Sequence, residues 1–487
     1  MNAEAQFFQN TTEVLPSPQD LAHARSQLIS TLPGPGNGLE RVREHIQTDL
    51  VPAFDRHNKV ANYYGFVTGG TTPASLMADH IAVDHDQSTM VHLPKDSIAV
   101  EVEDCALQML CQLVDLEPEQ WPHRIFTTGA TASNILGLAC GREYVLKRAA
   151  AANGYGDVSV ADDGLPEAMR KAGINKIQVL TEMPHSSLRK AASVVGLGRS
   201  CVLDVGLTDA AHRFDFEALE AALSEPGTAS IVSISCAEIN TGFFATSGDD
   251  MQRIRQLCDQ YGAWMHVDAA FGLMARVLPQ CDAYSILNEG VRGMELADSI
   301  TGDAHKLLNV PYDCGFFFSK HLALATEVFQ NNNAAYLSVA TGSETRAIPS
   351  PLNIGIENSR RFRALPVYAT LTAYGRDGYR DMMDRQVKLA RAIASYIESS
   401  PDYELLPKDN PIENVYIIAL FRATDPKLNE DLVQRINATR TTYVSGTQWD
   451  GRPAARFAVA SWQVQVEREL ATVKEVLENP RATTEDL

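Results

Sequence analysis

The sequence contains neither a Cys-x-x-Cys pair nor a group of cysteines and histidines with the spacing of zinc ligands, although eight cysteines occur. It also lacks the run of about 18 apolar residues that would cross a membrane. The first residues, Met1–Gln6, provide neither the basic nor the apolar segment of a signal peptide. These absences predict reduced and buried thiols, no metal site, no membrane span and a cytoplasmic location.

Positive charge is scarce in the chain. Lysine and arginine total 42 against 61 aspartates and glutamates, so the formal net charge is −19. An acidic surface repels the phosphates of nucleic acids and of anionic lipids. The charge balance therefore argues against nucleic acid and membrane surfaces as partners.

The chain of 487 residues exceeds the size of one simple core. Changes in pattern along the chain predict three parts: an N-terminal helical segment over 1–95, a large domain over 96–365 and a small C-terminal α+β domain over 366–487. The first part has prolines between short helical stretches, such as Leu39–Leu50.

Strands and helices alternate in the predicted large domain. Apolar strands are predicted at Arg124–Thr128, Lys176–Leu180, Ser230–Ser235 and Trp264–Asp268, with amphipathic helices between them. Continuous apolar strands of this kind are buried on both faces, which indicates a mainly parallel α/β sheet. After residue 366 the pattern predicts only two strands, Val415–Phe421 and Ala455–Ala460, together with two or three helices.

Several segments of this α/β region offer the groups that pyridoxal phosphate (PLP) requires from a protein. Lys306 lies in an apolar run, where a lysine is unusual and burial favours the nucleophilic amine. Asp268 ends a predicted strand, where a carboxylate can pair with the pyridine nitrogen and keep the ring able to accept electrons. The small residues of Thr128–Asn134 lie between a strand and a helix, where free N–H groups can bind a phosphate.

Two further residues fit the faces of a flat cofactor ring. Ala270 is small enough to pack against one face, and the imidazole of His185 can stack on the other. Each candidate has an ordinary alternative: a lysine with its charge in solvent, a helix-capping aspartate, a common strand-to-helix turn or a solvated loop histidine.

The order and spacing of these segments resemble the group II PLP-dependent amino acid decarboxylases, and in particular fungal members related to the aromatic amino acid and tyrosine decarboxylases. The segments that carry the resemblance run from about residue 60 to about residue 380; they are Thr128–Asn134, Pro184–Ser187, His266–Gly272, Ala297–Ile300, Asp303–Lys306, Val310–Gly315 and Arg360–Leu365. The resemblance implies the PLP-dependent transferase fold type I, which is the aspartate aminotransferase-like α/β architecture. It also implies a homodimer with active sites at the interface.

The resemblance also implies roles for individual residues. Lys306 would hold PLP as a Schiff base, Asp268 would pair with the pyridinium nitrogen and His185 would stack on the ring. Ala130 and Thr131 would cradle the phosphate, helped by Asp303 or His305.

The expected substrate pocket lies in the segment Tyr63–Thr68, with Tyr64, Phe66 and Thr68 as its residues. The aromatic residues there favour an aromatic L-amino acid as the substrate. Glu238 stands where family members often have a Gly-Thr-Thr run. It would lie near the 3′-oxygen of the cofactor or near the substrate, either as an active-site acid or as an edge residue.

The implied reaction is decarboxylation through an external aldimine and a quinonoid, with protonation at Cα giving the amine. The decarboxylases carry a loop tyrosine that returns this proton, yet between Ser319 and Arg360 the only tyrosine is Tyr336, and the expected position reads Ala347–Pro351. This departure leaves three alternatives open: another proton donor, an oxidative decarboxylase or aldehyde synthase, and a carbon–carbon bond-forming lyase. A non-catalytic PLP-binding protein is a fourth, which the presence of Lys306, Asp268 and His185 argues against.

Overall fold

The computed structural model describes residues 13–331 and 348–479. Twelve strands are present in these ranges: β1 Tyr63–Tyr64, β2 His123–Thr127, β3 Lys176–Thr181, β4 Val202–Asp204, β5 Thr228–Ser235, β6 Trp264–Asp268, β7 Ser299–Asp303, β8 Gly315–Ser319, β9 Tyr403–Leu406, β10 Ile418–Ala423, β11 Tyr443–Trp449 and β12 Arg452–Ala458.

The α-helices of the same ranges are α1 Pro18–Gln27, α2 Leu39–His45, α3 Pro73–His85, α4 Ala99–Leu113, α5 Ala130–Ala152, α6 Val160–Asp163, α7 Leu165–Ala172, α8 Ser186–Val194, α9 Phe216–Leu223, α10 Gly248–Tyr261, α11 Ser285–Gly290, α12 Ala304–Leu307, α13 Leu322–Phe329, α14 Ala364–Ser399, α15 Pro426–Ala438 and α16 Val466–Glu478. A π-helical turn, Ile46–Leu50, continues α2. The run α14 is interrupted at Gly375, whose φ of 57° is not helical.

The contacts within the chain group it into two units. One unit joins the described residues of Met1–Gly70 to those of Arg385–Leu487, and the other is the continuous stretch Thr71–Asp384. The division into 1–95, 96–365 and 366–487 stays a prediction.

The unit Thr71–Asp384 is built on a seven-stranded sheet in the order β2-β8-β7-β6-β5-β3-β4. Strand β8 runs antiparallel to both of its neighbours, and the remaining pairs are parallel. The central strands are apolar and buried; in β5 every residue between the two terminal ones is buried. The predicted mainly parallel α/β sheet is confirmed, and helices such as α5 and α8 pack on it through a shared apolar core.

The carboxyl ends of β5, β6 and β7 lie side by side. Ser235 is opposite Asp268, and Asp268 is opposite Thr301, two residues before the end of β7. Polar groups at the ends of these strands are therefore neighbours in space, which is the edge where α/β sheets bind ligands.

The other unit contains a five-stranded sheet in the order β1-β11-β12-β10-β9. The two predicted C-terminal strands correspond to β10 and β12, but the prediction of only two strands was wrong, because β9 and β11 complete the antiparallel part and β1 adds a parallel edge. Strand β11 has little continuous apolar sequence, so the hydrophobic pattern does not predict it. Its partner β1 comes from the N-terminal part of the chain, so the small sheet is not purely C-terminal.

Within the residues that the structure describes, no helix is both long and apolar enough to cross a membrane. The same residues contain no group of three or more His, Cys, Asp or Glu side chains placed to hold a metal ion.

Candidate active site

A cavity of about 370 Å³ opens at the carboxyl ends of the parallel strands. Its lining contains every residue that the sequence predicted to touch the cofactor, together with Glu238: Ala130, Thr131, His185, Asp268, Ala270, Asp303, His305 and Lys306. These residues come from five separate segments, and the strand order brings them together. The volume falls within the range of about 300–1,000 Å³ that is usual for small-molecule sites.

Lys306 lies in the short helix α12, directly after β7. Its Nζ is 3.0 Å from Oδ2 of Asp303 and 5.6 Å from the centre of the Phe271 ring. The side chains of both members of the ion pair are mostly buried, at 15% exposed for Lys306 and 7% for Asp303. The amine is thus held at the cavity by a carboxylate one helical turn away.

Asp303 also reaches the first turn of α5. Its Oδ1 accepts the N–H of Ala130 at 2.5 Å, and Nε2 of His305 lies 3.5 Å from the same oxygen. The backbone N–H of Cys314 donates to Nδ1 of His305, so the neutral imidazole carries its proton on Nε2, facing Asp303. Burial lowers the pKa of His305, with the nearby Asp303 charge opposing that effect.

The start of α5 leaves its backbone accessible to the cavity. Gly129 caps the helix without any side-chain hydrogen bond, and the next residues line the cavity. A Cβ placed on Gly315, in the neighbouring strand β8, would come within 2.5 Å of Cα of Gly129, so this strand must pass the turn without a side chain. The first-turn N–H groups of Thr131 and Ala132 have no acceptor within the helix and can serve an anion.

His185 is fixed by the helix that it begins. It is the N-cap of α8, and its Nδ1 accepts the N–H of Ser187 at 3.2 Å and lies 2.5 Å from Oγ of the same serine. One edge of the imidazole is therefore anchored to the backbone while the ring lines the cavity.

The carboxylate of Asp268 accepts a hydrogen bond at each oxygen. Nδ2 of Asn134 donates to its Oδ2 at 2.8 Å, whereas its Oδ1 receives the N–H of Ala270 at the longer distance of 3.3 Å. Oδ1 thus has the longer and weaker of the two hydrogen bonds, and Asp268 lines the cavity, where it can accept a further one.

Glu238 lines the same cavity, yet its carboxylate serves its own turn. Oε1 accepts from the backbone and side-chain nitrogens of Asn240 at 2.9 and 2.8 Å. Oε2 accepts from N and Oγ1 of Thr241 at 2.8 and 2.9 Å. Each oxygen therefore already has two donors, which favours the edge-residue alternative over that of an active-site acid.

The predicted substrate-pocket residues Tyr64, Phe66 and Thr68 belong to the other unit. Tyr64 is fully buried in the core of that unit with its ring edge-on to Phe457, at 5.3 Å between centres, while Phe66 is 60% exposed. They are not among the residues that line the cavity, and their contact with a substrate stays a prediction.

The sequence did not predict some of the residues that line the cavity. They are Met183, Ser187, Ser235, Ile239 and Phe271. Ser187 and Phe271 stand beside predicted site residues and could have been found from that spacing. Ser235 ends strand β5 and Ile239 lies shortly after it, and the sequence does not show which strands are the neighbours of β5.

The residues of the cavity fit PLP. An amine for covalent attachment, a carboxylate with an accessible oxygen, an anchored imidazole and a helix start with accessible N–H groups are the groups that this cofactor requires, and all of them face one cavity. Nothing in the donor set favours a metal over an organic phosphate.

The comparison with known proteins agrees with this chemistry. The family model for the pyridoxal-dependent decarboxylase conserved domain matches residues 22–419. L-2,4-diaminobutyrate decarboxylase of Acinetobacter baumannii is 30% identical over 315 residues, which are 64% of this chain and 58% of that enzyme. The chain thus matches little more than half the length of that relative.

Two further similarities cover most of the chain. Phenylacetaldehyde synthase of Petunia hybrida is 22% identical over 436 residues, 87% of this chain and 81% of that enzyme. The crystal structure of Oryza sativa TDC with PLP and tryptamine has a TM-score of 0.79 at 20% identity, covering 96% of this chain and 92% of that one.

The fold is the PLP-dependent transferase fold type I, as the sequence predicted. The chain belongs to the pyridoxal-dependent decarboxylases, which are carboxy-lyases of amino acids, and PLP is its cofactor.

Proposed function

We propose that this protein decarboxylates an L-amino acid, with PLP attached to Lys306. The observation that carries the proposal is the convergence of Lys306, Asp268, His185 and the start of α5 on one cavity. When bound, PLP supplies an electron-accepting ring that takes up the electrons left on Cα when carbon dioxide departs.

The side chains and backbone groups of the cavity would bind and orient the cofactor. Oδ2 of Asp303, 3.0 Å from Nζ of Lys306, would hold the lysine side chain at the cavity, where its amine attaches the cofactor. The resemblance implies that Ala130 and Thr131 cradle the phosphate, helped by Asp303 or His305. Because Oδ1 of Asp303 already takes the N–H of Ala130, we propose the N–H groups of Thr131 and Ala132 for the phosphate instead and assign Asp303 to Lys306. Oδ1 of Asp268 would face the pyridine nitrogen, and the His185 ring would cover one face of the cofactor.

We favour an aromatic substrate, because the segment Tyr63–Thr68 is expected to shape the side-chain pocket. The relative named as a diaminobutyrate decarboxylase supports a different choice, a short amino acid with a second amine. Both classes therefore belong in a substrate test.

A second candidate function is oxidative decarboxylation to an aldehyde, which the similarity to a phenylacetaldehyde synthase supports. Its specific support in this chain is the absence of a tyrosine from Ala347–Pro351. Tyr336 lies outside the described residues. With oxygen and water as co-reactants, this route releases aldehyde, carbon dioxide, ammonia and hydrogen peroxide, whereas simple decarboxylation takes up one proton at Cα and releases only amine and carbon dioxide. A carbon–carbon bond-forming lyase would instead release a product heavier than the amine.

The first experiment tests the attachment point. We expect the purified protein with PLP to be yellow, and borohydride reduction to fix the cofactor on the peptide that contains Lys306. Lys306→Ala should lose the visible band and the labelled peptide. Lys320→Ala is the matched control, because Lys320 is also partly buried but donates to the carbonyl oxygen of Glu295, away from the cavity lining. A wild-type protein that stays colourless with added PLP would refute the proposal.

The second experiment separates the chemistries. The holoenzyme is incubated with aromatic amino acids, L-2,4-diaminobutyrate and acidic amino acids, and amine, aldehyde, carbon dioxide and peroxide are measured together. Amine and carbon dioxide in equal amounts support decarboxylation. Aldehyde with peroxide supports the oxidative route, and a coloured protein that turns over none of the panel supports the non-catalytic alternative.

We also expect a homodimer in solution and a cytoplasmic location. The first is measured by light scattering at several protein concentrations, and a monomer throughout would contradict it. The second is measured by fractionating the source cells.

A further inference from the structure

A chain of hydrogen bonds runs beneath the cavity and ends at Asp268. Nε1 of Trp264 donates to Oγ of Ser299 at 3.0 Å, Oγ of Ser299 is 2.8 Å from Nδ1 of His266, and Nε2 of His266 is 2.8 Å from Oδ1 of Asn134. Nδ2 of Asn134 then donates to Oδ2 of Asp268 at 2.8 Å. The first four side chains are completely buried, and of the five only Asp268 lines the cavity.

The chemistry of the donors gives this chain one direction. The direction is fixed at the Asp268 end, because Nδ2 of Asn134 donates to that carboxylate and the amide therefore turns its Oδ1 toward Nε2 of His266. Nε2 donates to this oxygen, so the neutral imidazole has Nδ1 as an acceptor for the hydroxyl proton of Ser299. Oγ of Ser299 in turn accepts from the indole N–H of Trp264.

The imidazole remains neutral over the working pH range. Burial lowers the pKa of His266 to about 4, with the nearby Asp268 charge acting in the opposite sense. The direction of the chain is therefore not reversed by protonation near neutral pH.

Helix α5 provides the space for this chain. A Cβ on Gly137 would lie 2.6 Å from Cε1 of His266, and a Cβ on Gly141 would lie 2.9 Å from Cδ1 of Trp264. Asn134, Gly137 and Gly141 share one face of α5, since they are three and four residues apart. The two glycines leave room on that face for the rings of His266 and Trp264. Asn134, on the same face, supplies the amide that donates to Asp268.

We propose that Asn134 and His266 are positioning residues, which hold Asp268 as a carboxylate aimed at the pyridine nitrogen of PLP. This inference rests on the proposed function, in which Asp268 pairs with that nitrogen. Asn134 makes the shorter hydrogen bond, at Oδ2, and we assign the more weakly held Oδ1 to the cofactor.

The test uses the holoenzyme and two measurements other than activity: the PLP dissociation constant and the pH midpoint of the visible absorbance of bound PLP. Asn134→Ala and His266→Phe should raise the dissociation constant by roughly tenfold or more, the effect expected when a hydrogen bond to a charged group is lost. They should also move the absorbance midpoint to higher pH, because a less firmly protonated ring withdraws fewer electrons from its attachment to Lys306.

Two variants serve as controls. His266→Gln should restore both measurements, because its carbonyl oxygen can accept from Ser299 and its amide can donate to Asn134. His123→Phe removes another fully buried histidine of the same sheet, one whose Nε2 contacts the carbonyl oxygen of Ile354 at 2.8 Å, and should leave both measurements unchanged.

The outcomes are distinct. Wild-type affinity and midpoint in Asn134→Ala and His266→Phe would overturn the inference, as would equal changes in His123→Phe and His266→Phe, which would indicate general loss of stability. If His266→Phe does not fold, Asn134→Ala, the smaller change, decides. A wild-type protein that binds no PLP would refute the proposed function instead.

Discussion

Two buried glutamates near the cavity differ in how their oxygens are used. Glu238 accepts two hydrogen bonds at each oxygen, all from its own turn. Glu182, directly after β3, accepts the N–H of Ser235 at Oε1, whereas its buried Oε2 has no hydrogen-bond partner among the residues that the structure describes. Burial raises the pKa of Glu182 to about 8, against hydrogen bonds from Ser235 that lower it. We therefore expect Glu182 to remain protonated near neutral pH.

The first prediction concerns Glu182→Gln in the cofactor-free protein. Below its ordinary pKa of 4.5, Glu182 is protonated in the folded and unfolded chains alike. Between pH 4.5 and about 8 only the unfolded chain releases the proton, so the wild type loses stability as the pH rises, by up to about 1.4 kcal/mol per pH unit. Glutamine cannot ionise and escapes this loss.

The free energy of urea unfolding, measured for both proteins from pH 4.5 to 8, checks this prediction. The difference should shift steadily in favour of Glu182→Gln across that window. Glu430→Gln, at an exposed position, is the control and should show a flat difference. A flat difference for Glu182→Gln would show that the buried carboxyl ionises without cost.

At the scale of secondary-structure elements, α5 packs closely on the sheet at its glycines and lines the cavity with its first turn. Gly137 and Gly141 admit the rings of His266 and Trp264, and the first turn of the same helix lines the cavity. Each glycine makes the helix less stable than alanine would, by about 1 kcal/mol, but allows it to pack closely on β6.

The second prediction is that Gly137→Ala destabilises the protein although alanine is the better helix former. The new methyl group would overlap the His266 ring, and overpacking of this kind costs about 1–3 kcal/mol. Gly156→Ala is the matched change, because a Cβ there meets no atom within 4 Å. Urea unfolding should show a lower midpoint for Gly137→Ala alone, and equal midpoints would contradict the packing argument.

The strands that the sequence predicted well are apolar runs next to segments with a helical period. Strand β6 was predicted to the residue, and β2, β3 and β5 to within two residues at each end. Strand β8 was missed, because a short apolar run such as Gly315–Ser319 does not by itself distinguish a strand from a buried helix.

The residues that line the cavity could be predicted from local spacing, but the hydrogen bonds beneath it that hold Asp268 could not. Lys306, Asp268 and His185 each stand in a short recognisable segment. Asn134 and Ser299 are joined to His266 across 132 and 33 residues by the order of the strands, which the sequence does not display. Ala237, directly before Glu238, has a φ of 75°, which a non-glycine residue rarely adopts and which the sequence does not indicate.

At the scale of the whole unit Thr71–Asp384, one buried ion pair ties distant segments together. Nη2 of Arg360 donates to Oε1 of Glu103, in α4, and to the carbonyl oxygen of Phe126, in β2, both at 2.8 Å. Nη1 donates to the carbonyl oxygen of Thr89 at 3.0 Å. The exposed fractions of the two charged side chains are 1% and 4%, so neither charge is compensated by water.

The third prediction is that Arg360→Met destabilises the protein by about 3–5 kcal/mol, because Glu103 is left buried without its counter-charge. The double variant Arg360→Met with Glu103→Leu should recover part of the loss. Arg380→Met removes an exposed pair with Asp377 and should cost less than about 1 kcal/mol. Thermal unfolding of the four proteins measures this, and equal losses in the single and double variants would contradict the role of the unpaired charge.

The pairing of β1 with β11 has a consequence for the order of synthesis. Asn62 and Thr441, beside this pair of strands, are hydrogen-bonded across 379 residues of sequence, whereas Thr71–Asp384 is one continuous stretch. At about 5–20 residues per second, the ribosome needs roughly 20–75 s to make the partner of β1 after β1 itself. During that interval Thr71–Asp384 can fold, whereas β1 still lacks its partner strand β11. Ribosome-bound chains stalled at residue 430 should therefore lose their N-terminal segment to a protease that spares the same segment in released chains, and equal resistance in both would show that this segment does not depend on β11.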